Sequence, residues 1–441
     1  MSQTESRDRL IELRRDLHRH PEPAWREFYT TARIVEELER LGFPRPENGS
    51  VTAAGTTFEL AVGRDAIDPD ARMAVPDEAE LARWYDQALE DGADPDLLAP
   101  LEGGYTGAVA TVRRGSGPHL ALRVDIDALP REESTADEHA PAAAGFRSTH
   151  EGAMHACGHD AHMAIGIGVL EAILESDFEG AFTVFFQPAE ERVAGGKAMA
   201  QSGHLADVDA LLAVHVGLDH PTGEVVAGIG GFLAVRAFRA EYAGASAHAG
   251  GRPEEGRNAV QAMAAAVQNL YAIPRHADGA TRVNAGHVGG GSVANIIPES
   301  AFIEGEVRGA TTPLRDYMWE HAMDVLVGAA EMHDCEVVVD PEAEAPSAES
   351  DEDLVEIVSA VAERTANVDS ILDRDDLGGS EDATYLMRAV QEAGGTAAYV
   401  CIGTDHPGGH HTGTFDVDED SIGIGVAVLT DAFAEIAGTF E

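Results

Sequence analysis

The run Phe182-Thr-Val-Phe-Phe186-Gln187-Pro-Ala-Glu190-Glu191 decides how this chain folds. Its first five residues are apolar or β-branched with no alternation, so a strand made of them is buried on both faces. That is the situation of a strand inside a mostly parallel sheet covered by helices. The strand then runs straight into a pair of carboxylates. Ala210–Val214 repeats the design and runs directly into His215. Charged or imidazole groups just past buried strands fall at the carboxyl edge of an open α/β sheet, where such sheets bind ligands.

Working outward, residues 5–19, 30–41, 161–174, 354–365, 382–391 and 421–437 have the apolar spacing of helices. Strands are expected at 105–112 and 119–124, either side of a Gly-Ser-Gly turn, and at 397–401. Residues 231–342 read differently: strand 233–242, helix 258–271, strands 282–288 and 301–307, helix 314–332, strand 336–339. This β-α-β-β-α-β order is that of a ferredoxin-like module. The expected organisation is an α/β main domain over 1–230, a ferredoxin-like α+β insert over 231–342, and the rest of the main domain over 343–441. A very acidic stretch at about 65–102, with a helix over 77–90, reads as an insertion beside the main core.

The 441 residues include 78 acidic and 30 basic ones, a formal charge of −48, and Lys197 is the only lysine. Such a surface repels phosphate, which argues against a nucleic-acid partner. The acids are spread along the chain, as in proteins adapted to high salt, where screening shortens charge repulsion to ~3 Å at 1 M. A halophilic source is the expectation. No apolar run reads as long enough to span a bilayer. The first residues lack the basic-then-apolar order of a leader, which points to the cytoplasm. Cys157, Cys335 and Cys401 are too few and too scattered for a disulfide framework.

A second motif supplies the chemistry: His155-Ala-Cys157-Gly-His159-Asp160-Ala-His162. On an extended segment Cys157 and His159 point the same way, a usable grip for one metal ion. Together with Glu190/Glu191, His215 and Gly408-Gly-His410-His411 it makes four clusters of thiolate, imidazole and carboxylate. That donor set suits a d-block cation better than Ca²⁺ or Mg²⁺. Five or six candidate ligands exceed one tetrahedral ion, which suggests two ions ~3.5–4 Å apart, an arrangement that clamps a hydrolytic transition state. Neighbouring Glu190 and Glu191 on extended backbone would point in opposite directions, so one would bind metal and the other serve as general base.

Further motifs stand in a recognisable order: Leu122-Arg-Val-Asp-Ile-Asp127-Ala-Leu-Pro, the Cys157 motif, Phe186-Gln-Pro-Ala-Glu-Glu191, Ala247-His248-Ala, Asn295-Ile-Ile-Pro298 and His410-His-Thr-Gly-Thr-Phe415. Over essentially its whole length the chain resembles the metal-dependent aminoacylase/carboxypeptidase amidohydrolases. The likeness is to the branch with a bridging Cys, and within it to the p-aminobenzoyl-glutamate hydrolase subfamily. The resemblance implies that Cys157 is shared by two divalent ions (Mn²⁺, Zn²⁺ or Co²⁺), with His159, Glu191, His215 and His411 completing their shells. His411 is preferred to His410 because it stands four before Phe415. Glu190 would be the general base, and His248, in the insert, an oxyanion donor supplied across a homodimer. Asn295 and Arg308 would hold the substrate carboxylate, while Asp125, Asp127, His155 and His162 would be structural. Two stretches depart from the family pattern: Glu191-Arg-Val-Ala-Gly-Gly-Lys197 and Thr404-Asp-His-Pro-Gly-Gly.

The implied activity is hydrolysis of a small N-acyl amino acid, with p-aminobenzoyl-glutamate the leading substrate. A second, homologous polypeptide is a further expected partner. The alternatives are a general N-acyl-amino-acid hydrolase acting on hippurate-like compounds and a non-catalytic metal- or peptide-binding protein on the same scaffold. No membrane partner is expected.

Overall fold

The computed structural model describes residues 3–46 and 49–440; Met1 and Ser2, where the leader reading begins, lie outside them. The chain divides into two units. One comprises Met1–Gly230, Ala348–Leu377 and Asp382–Glu441, the other Gly231–Ser347 and Gly378–Glu381.

In chain order the strands are β1 (Ser50–Ala53), β2 (Thr56–Val62), β3 (Ala108–Arg114), β4 (His119–Asp125), β5 (Gly180–Gln187), β6 (Ala210–Val216), β7 (Glu224–Gly230), β8 (Ala234–Ala243), β9 (Thr281–Gly290), β10 (Ser300–Gly309), β11 (Glu336–Ala345), β12 (Ser370–Asp376) and β13 (Thr396–Ile402). The first unit holds a mixed sheet in the order β1-β2-β3-β5-β4-β6-β13-β7-β12. Its middle run, β5-β4-β6-β13, is parallel, while β1, β2 and β3 join it antiparallel. Although β3 and β4 are joined by a short turn, β5 sits between them.

The parallel strands are buried along their whole length, as their unbroken apolar texture requires. Helices Gln3–Arg19, His159–Glu175, Glu352–Ala362 and Asp420–Gly438 cover them with Leu17, Ile165, Val358 and Phe433. Two expectations change here. Leu81, Ala88, Leu97, Leu98 and Leu101 of the acidic stretch are members of this same core rather than of a body beside it. Helix Asp420–Gly438 is long and apolar enough to cross a membrane by length and composition. Its apolar side chains Ile422, Val428, Leu429 and Phe433 belong to the core, which explains the composition without a bilayer.

The second unit is a four-stranded antiparallel sheet in the order β11-β8-β10-β9. Helices Ala259–Leu270 and Thr312–Met332 follow β8 and β10, giving the β-α-β-β-α-β order of a ferredoxin-like fold. Its own core includes Phe238, Tyr242, Leu270, Ile303, Met318 and Leu326.

Candidate metal centre

Because β5, β4, β6 and β13 are parallel neighbours, their carboxyl ends open side by side. Asp125 ends β4, Gln187 ends β5, His215 lies one residue before the end of β6, and the loop carrying His410 and His411 follows β13. Cys157 enters from the segment before helix His159–Glu175. That segment is not extended: Gly158 is left-handed (φ 89) and starts the helix. A Cβ at Gly158 would stand 2.5 Å from Val216 Cγ2, so only glycine allows the turn that brings Cys157 against β6.

Two sets of donors converge on the Cys157 thiol. Cys157, His159 and His215 form one and Cys157, Glu191 and His411 the other, each with its ligand atoms within 4.8 Å of one another. Cys157 Sγ stands 3.5 Å from His215 Nε2 and 3.7 Å from His411 Nε2. Glu191 reaches both sets, with Oε1 3.8 Å from His159 Nε2 and Oε2 3.5 Å from His411 Nε2. His411 is the solvent-facing member and sits at a positive φ of 60, anchored by its N–H to Ala156 O at 2.8 Å.

Hydrogen bonds fix which imidazole nitrogens can bind a cation, since a carbonyl only accepts and a backbone N–H only donates. His215 Nδ1 donates to Val216 O (2.7 Å) and His159 Nδ1 to Asp127 O (2.8 Å), so both rings present an Nε2 lone pair. Conversely, Val216 N–H donates to His162 Nε2 (2.8 Å), and the His162 Nδ1–H donates to Asp125. His162 is thereby spent on structure. His155 is buried with neither ring nitrogen hydrogen-bonded, and burial holds it neutral, with its pKa lowered to about 3.

Glu190 and Glu191 do not diverge. Left-handed Ala189 (φ 58) puts them on a turn, and Glu190 Oε2 and Glu191 Oε1 each lie 3.8 Å from His159 Nε2. Asp127, which is wholly buried, sets this turn: its Oδ1 and Oδ2 accept the N–H groups of Glu190 and Glu191, both at 3.0 Å. Glu27 adds a third anchor, with its Oε1 accepting Ala189 N–H at 2.8 Å while Thr106 donates to its Oε2. Nothing in the sequence around Glu27 signals this role. Beneath the site, buried Arg123 bonds Gln187 Oε1 (2.9 Å) and Asp125 Oδ2 (2.7 Å), tying the ends of β5 and β4 together.

This arrangement fits divalent cations. His159 Nε2 and Glu191 Oε1 are buried polar atoms without a hydrogen-bond partner, a costly state unless something else binds them. Burial, then Glu191, Glu190 and Asp125, push the Cys157 thiol well above its ordinary pKa. Burial raises Glu191 to about 8 despite His159, with Asp127 and Asp125 adding to the rise. Burial opposes a proton on His159, but Asp125, the bond to Asp127 and the Glu191 charge raise it to about 10. The metal-free cluster therefore takes up protons that bound cations would displace.

The other predicted residues lie in the second unit. His248 is exposed on the loop after β8, and its Nδ1 accepts the N–H groups of Gly250 (3.1 Å) and Gly251 (3.0 Å). Its proton is thus on Nε2, which is left as a donor. Asn295 is brought beside it, its carbonyl accepting Ala249 N–H at 3.0 Å. Arg308, on β10, is paired with Glu306 through Nε (2.8 Å) and Nη2 (2.9 Å), and its Nη1 lies 3.4 Å from Ser380 Oγ.

Comparison with known proteins gives consistent relatives. The description "Peptidase family M20/M25/M40" matches residues 121–435. Indole-3-acetyl-aspartic acid hydrolase of Enterobacter agglomerans is 40% identical over 424 residues, covering 95% of this chain and 94% of that one. One of the p-aminobenzoyl-glutamate hydrolase subunits of Escherichia coli (strain K12) is 39% identical over 425 residues, covering 96% and 94%. Among solved structures, an aminobenzoyl-glutamate utilization protein from Klebsiella pneumoniae superposes with a TM-score of 0.81 at 35% identity, covering 97% and 96%.

Proposed function

The chain belongs to peptidase family M20/M25/M40, the metal-dependent amidohydrolases, and from that premise we propose that it cleaves the amide between an aromatic acyl group and an acidic amino acid. The observation behind the metal reading is that the Cys157 thiol belongs to two ligand sets at once. Cys157, His159 and His215 would hold one divalent ion, and Cys157, Glu191 and His411 the other; Mn²⁺, Zn²⁺ and Co²⁺ all suit these donors. When bound, the two ions polarise the scissile carbonyl and acidify the attacking water.

The protein's own residues do the rest. Glu190, outside both sets that contain Cys157, takes the water's proton and delivers it to the leaving nitrogen. Asp127 holds the Glu190 backbone so that the carboxylate stays on the His159 side. His248 Nε2–H, supplied across a homodimer to the other subunit's metal centre, stabilises the oxyanion, a donor of the kind whose loss costs ~2.7–4 kcal/mol. Asn295 and Arg308 hold the substrate's α-carboxylate, with Arg308 exchanging Glu306 for it as a bidentate partner. A cytoplasmic homodimer is part of this reading, and the three free cysteines suit a reducing compartment.

The acyl class is tested by a substrate panel run on protein of measured metal content. Both named relatives act on an aromatic acyl group joined to a dicarboxylic amino acid. We expect kcat/KM for p-aminobenzoyl-glutamate or indole-3-acetyl-aspartate to exceed that for acetyl and benzoyl derivatives of neutral amino acids by ~10-fold or more, about 1.4 kcal/mol of discrimination. Equal turnover across the panel would instead favour a general N-acyl-amino-acid hydrolase.

Charge adds a second expectation. At −48 the surface repels itself and an anionic substrate alike unless salt screens it. Stability should rise from 0.1 M to 1 M KCl as the screening length falls from ~10 Å to ~3 Å. Thermal melts across that range check it, and a protein fully folded and active after prolonged dialysis into dilute buffer would contradict a halophilic origin.

A further inference from the structure

The metal-centre reading leaves His410 without a task, although its Nδ1 lies 3.5 Å from Cys157 Sγ, nearer than His411 Nε2 at 3.7 Å. The ring sits in a built slot. Leu218 N–H donates to its Nε2 over 2.9 Å, and the Phe415 and His406 rings stand 4.8 Å and 4.7 Å away. Left-handed Gly217 (φ 82) closes the slot, and a Cβ there would lie 2.7 Å from His410 Nε2.

These contacts fix the tautomer. A backbone N–H can only donate, so Nε2 is the acceptor and the proton of the neutral ring is on Nδ1, the nitrogen that faces the sulfur. An Nδ1–H has no lone pair to give a cation. The geometry points to His410 as a positioning residue that donates a hydrogen bond from Nδ1 to the Cys157 thiolate and does not bind metal. A thiolate serving two cations must direct its lone pairs at both. An N–H bond to the same sulfur fixes that orientation and draws off electron density, a task that partners outside the ligand set perform at metal sites generally. The unusual Thr404-Asp-His-Pro-Gly-Gly run, which supplies His406, is thereby tied to the sulfur it helps orient.

The inference rests on Cys157 being a metal ligand, and the test separates the two ideas. In the Co²⁺-loaded full-length protein, the thiolate-to-cobalt charge-transfer band reports electron density on sulfur. His410→Asn places an amide N–H where Nδ1 stands but gives up the Leu218 contact. His410→Gln keeps an acceptor for Leu218 N–H but loses the donor to sulfur. We expect the band to move to lower energy in His410→Gln and to stay in place in His410→Asn. A shift confined to His410→Asn, equal shifts in both, or no shift in either would overturn the proposal. Absence of any such band in cobalt-loaded wild-type protein would remove Cys157 as a ligand and the proposal with it. Independently of metal, long-range ¹H–¹⁵N spectra of histidine-labelled wild-type protein should show His410 protonated at Nδ1 and bare at Nε2. The reverse pattern would overturn the hydrogen bond even if neither variant folds.

Discussion

Glu190→Gln is expected to keep two metal ions per chain and lose turnover by at least ~10²–10⁴-fold, the range attributed to a positioned general acid–base group. The side chain belongs to neither ligand set that contains Cys157, whereas Glu191 reaches the members of both. Gln is isosteric with Glu and leaves the backbone bond from residue 190 to Asp127 intact, so the turn should survive. What disappears is the capacity to accept a proton. The loss should therefore fall on kcat, with KM and metal content little changed. Metal analysis beside steady-state kinetics reads all three quantities. Substantial residual kcat would remove Glu190 from the role of base, and loss of one metal would reassign it as a ligand.

Cys157→Ser is the second large effect. The hydroxyl nearly matches the thiol in size, and the residue is buried at 8% exposure, so the fold has little to repack. A serine hydroxyl, however, does not ionise near neutral pH as a metal-bound thiol does, and the sulfur is the one atom common to both sets. Both ions should weaken together, by more than the ~10–100-fold typical of altering a hydrogen-bond partner outside the ligand set. Competition with a chromogenic chelator measures this. A variant that loses one ion cleanly and keeps the other at full affinity would place the sulfur on a single metal.

Much of this site is visible in sequence because parallel strands advertise themselves. Phe182–Phe186 and Ala210–Val214 are apolar on both faces, so the residues that follow them must share one sheet edge. The ferredoxin-like order of the second unit follows from the alternation of strand and helix patterns between Ala234 and Ala345. Edge strands are harder to read: β12, Ser-Ile-Leu-Asp-Arg-Asp-Asp, is largely exposed and acidic, with none of the signals of a buried strand. The convergence of Glu190 and Glu191 was also hidden, because periodicity assumes regular backbone and Ala189 leaves it. Histidine roles were hidden for a different reason. His159, His162, His215 and His410 are chemically identical in sequence, and only the backbone groups at Asp127, Val216 and Leu218 decide which nitrogen holds the proton. Asp127 acts at a distance of sixty-odd residues through both carboxylate oxygens, a pairing that only the folded chain brings about.

The central claim is that one thiol serves two metal ions, and crystals grown with excess Mn²⁺ or Zn²⁺ test it most directly through anomalous scattering at the metal edge. The account predicts two anomalous peaks per chain, both within bonding distance of Cys157 Sγ, one also against His159 and His215 and the other against Glu191 and His411. A single peak at full occupancy, or a pair of which only one touches the sulfur, would contradict it.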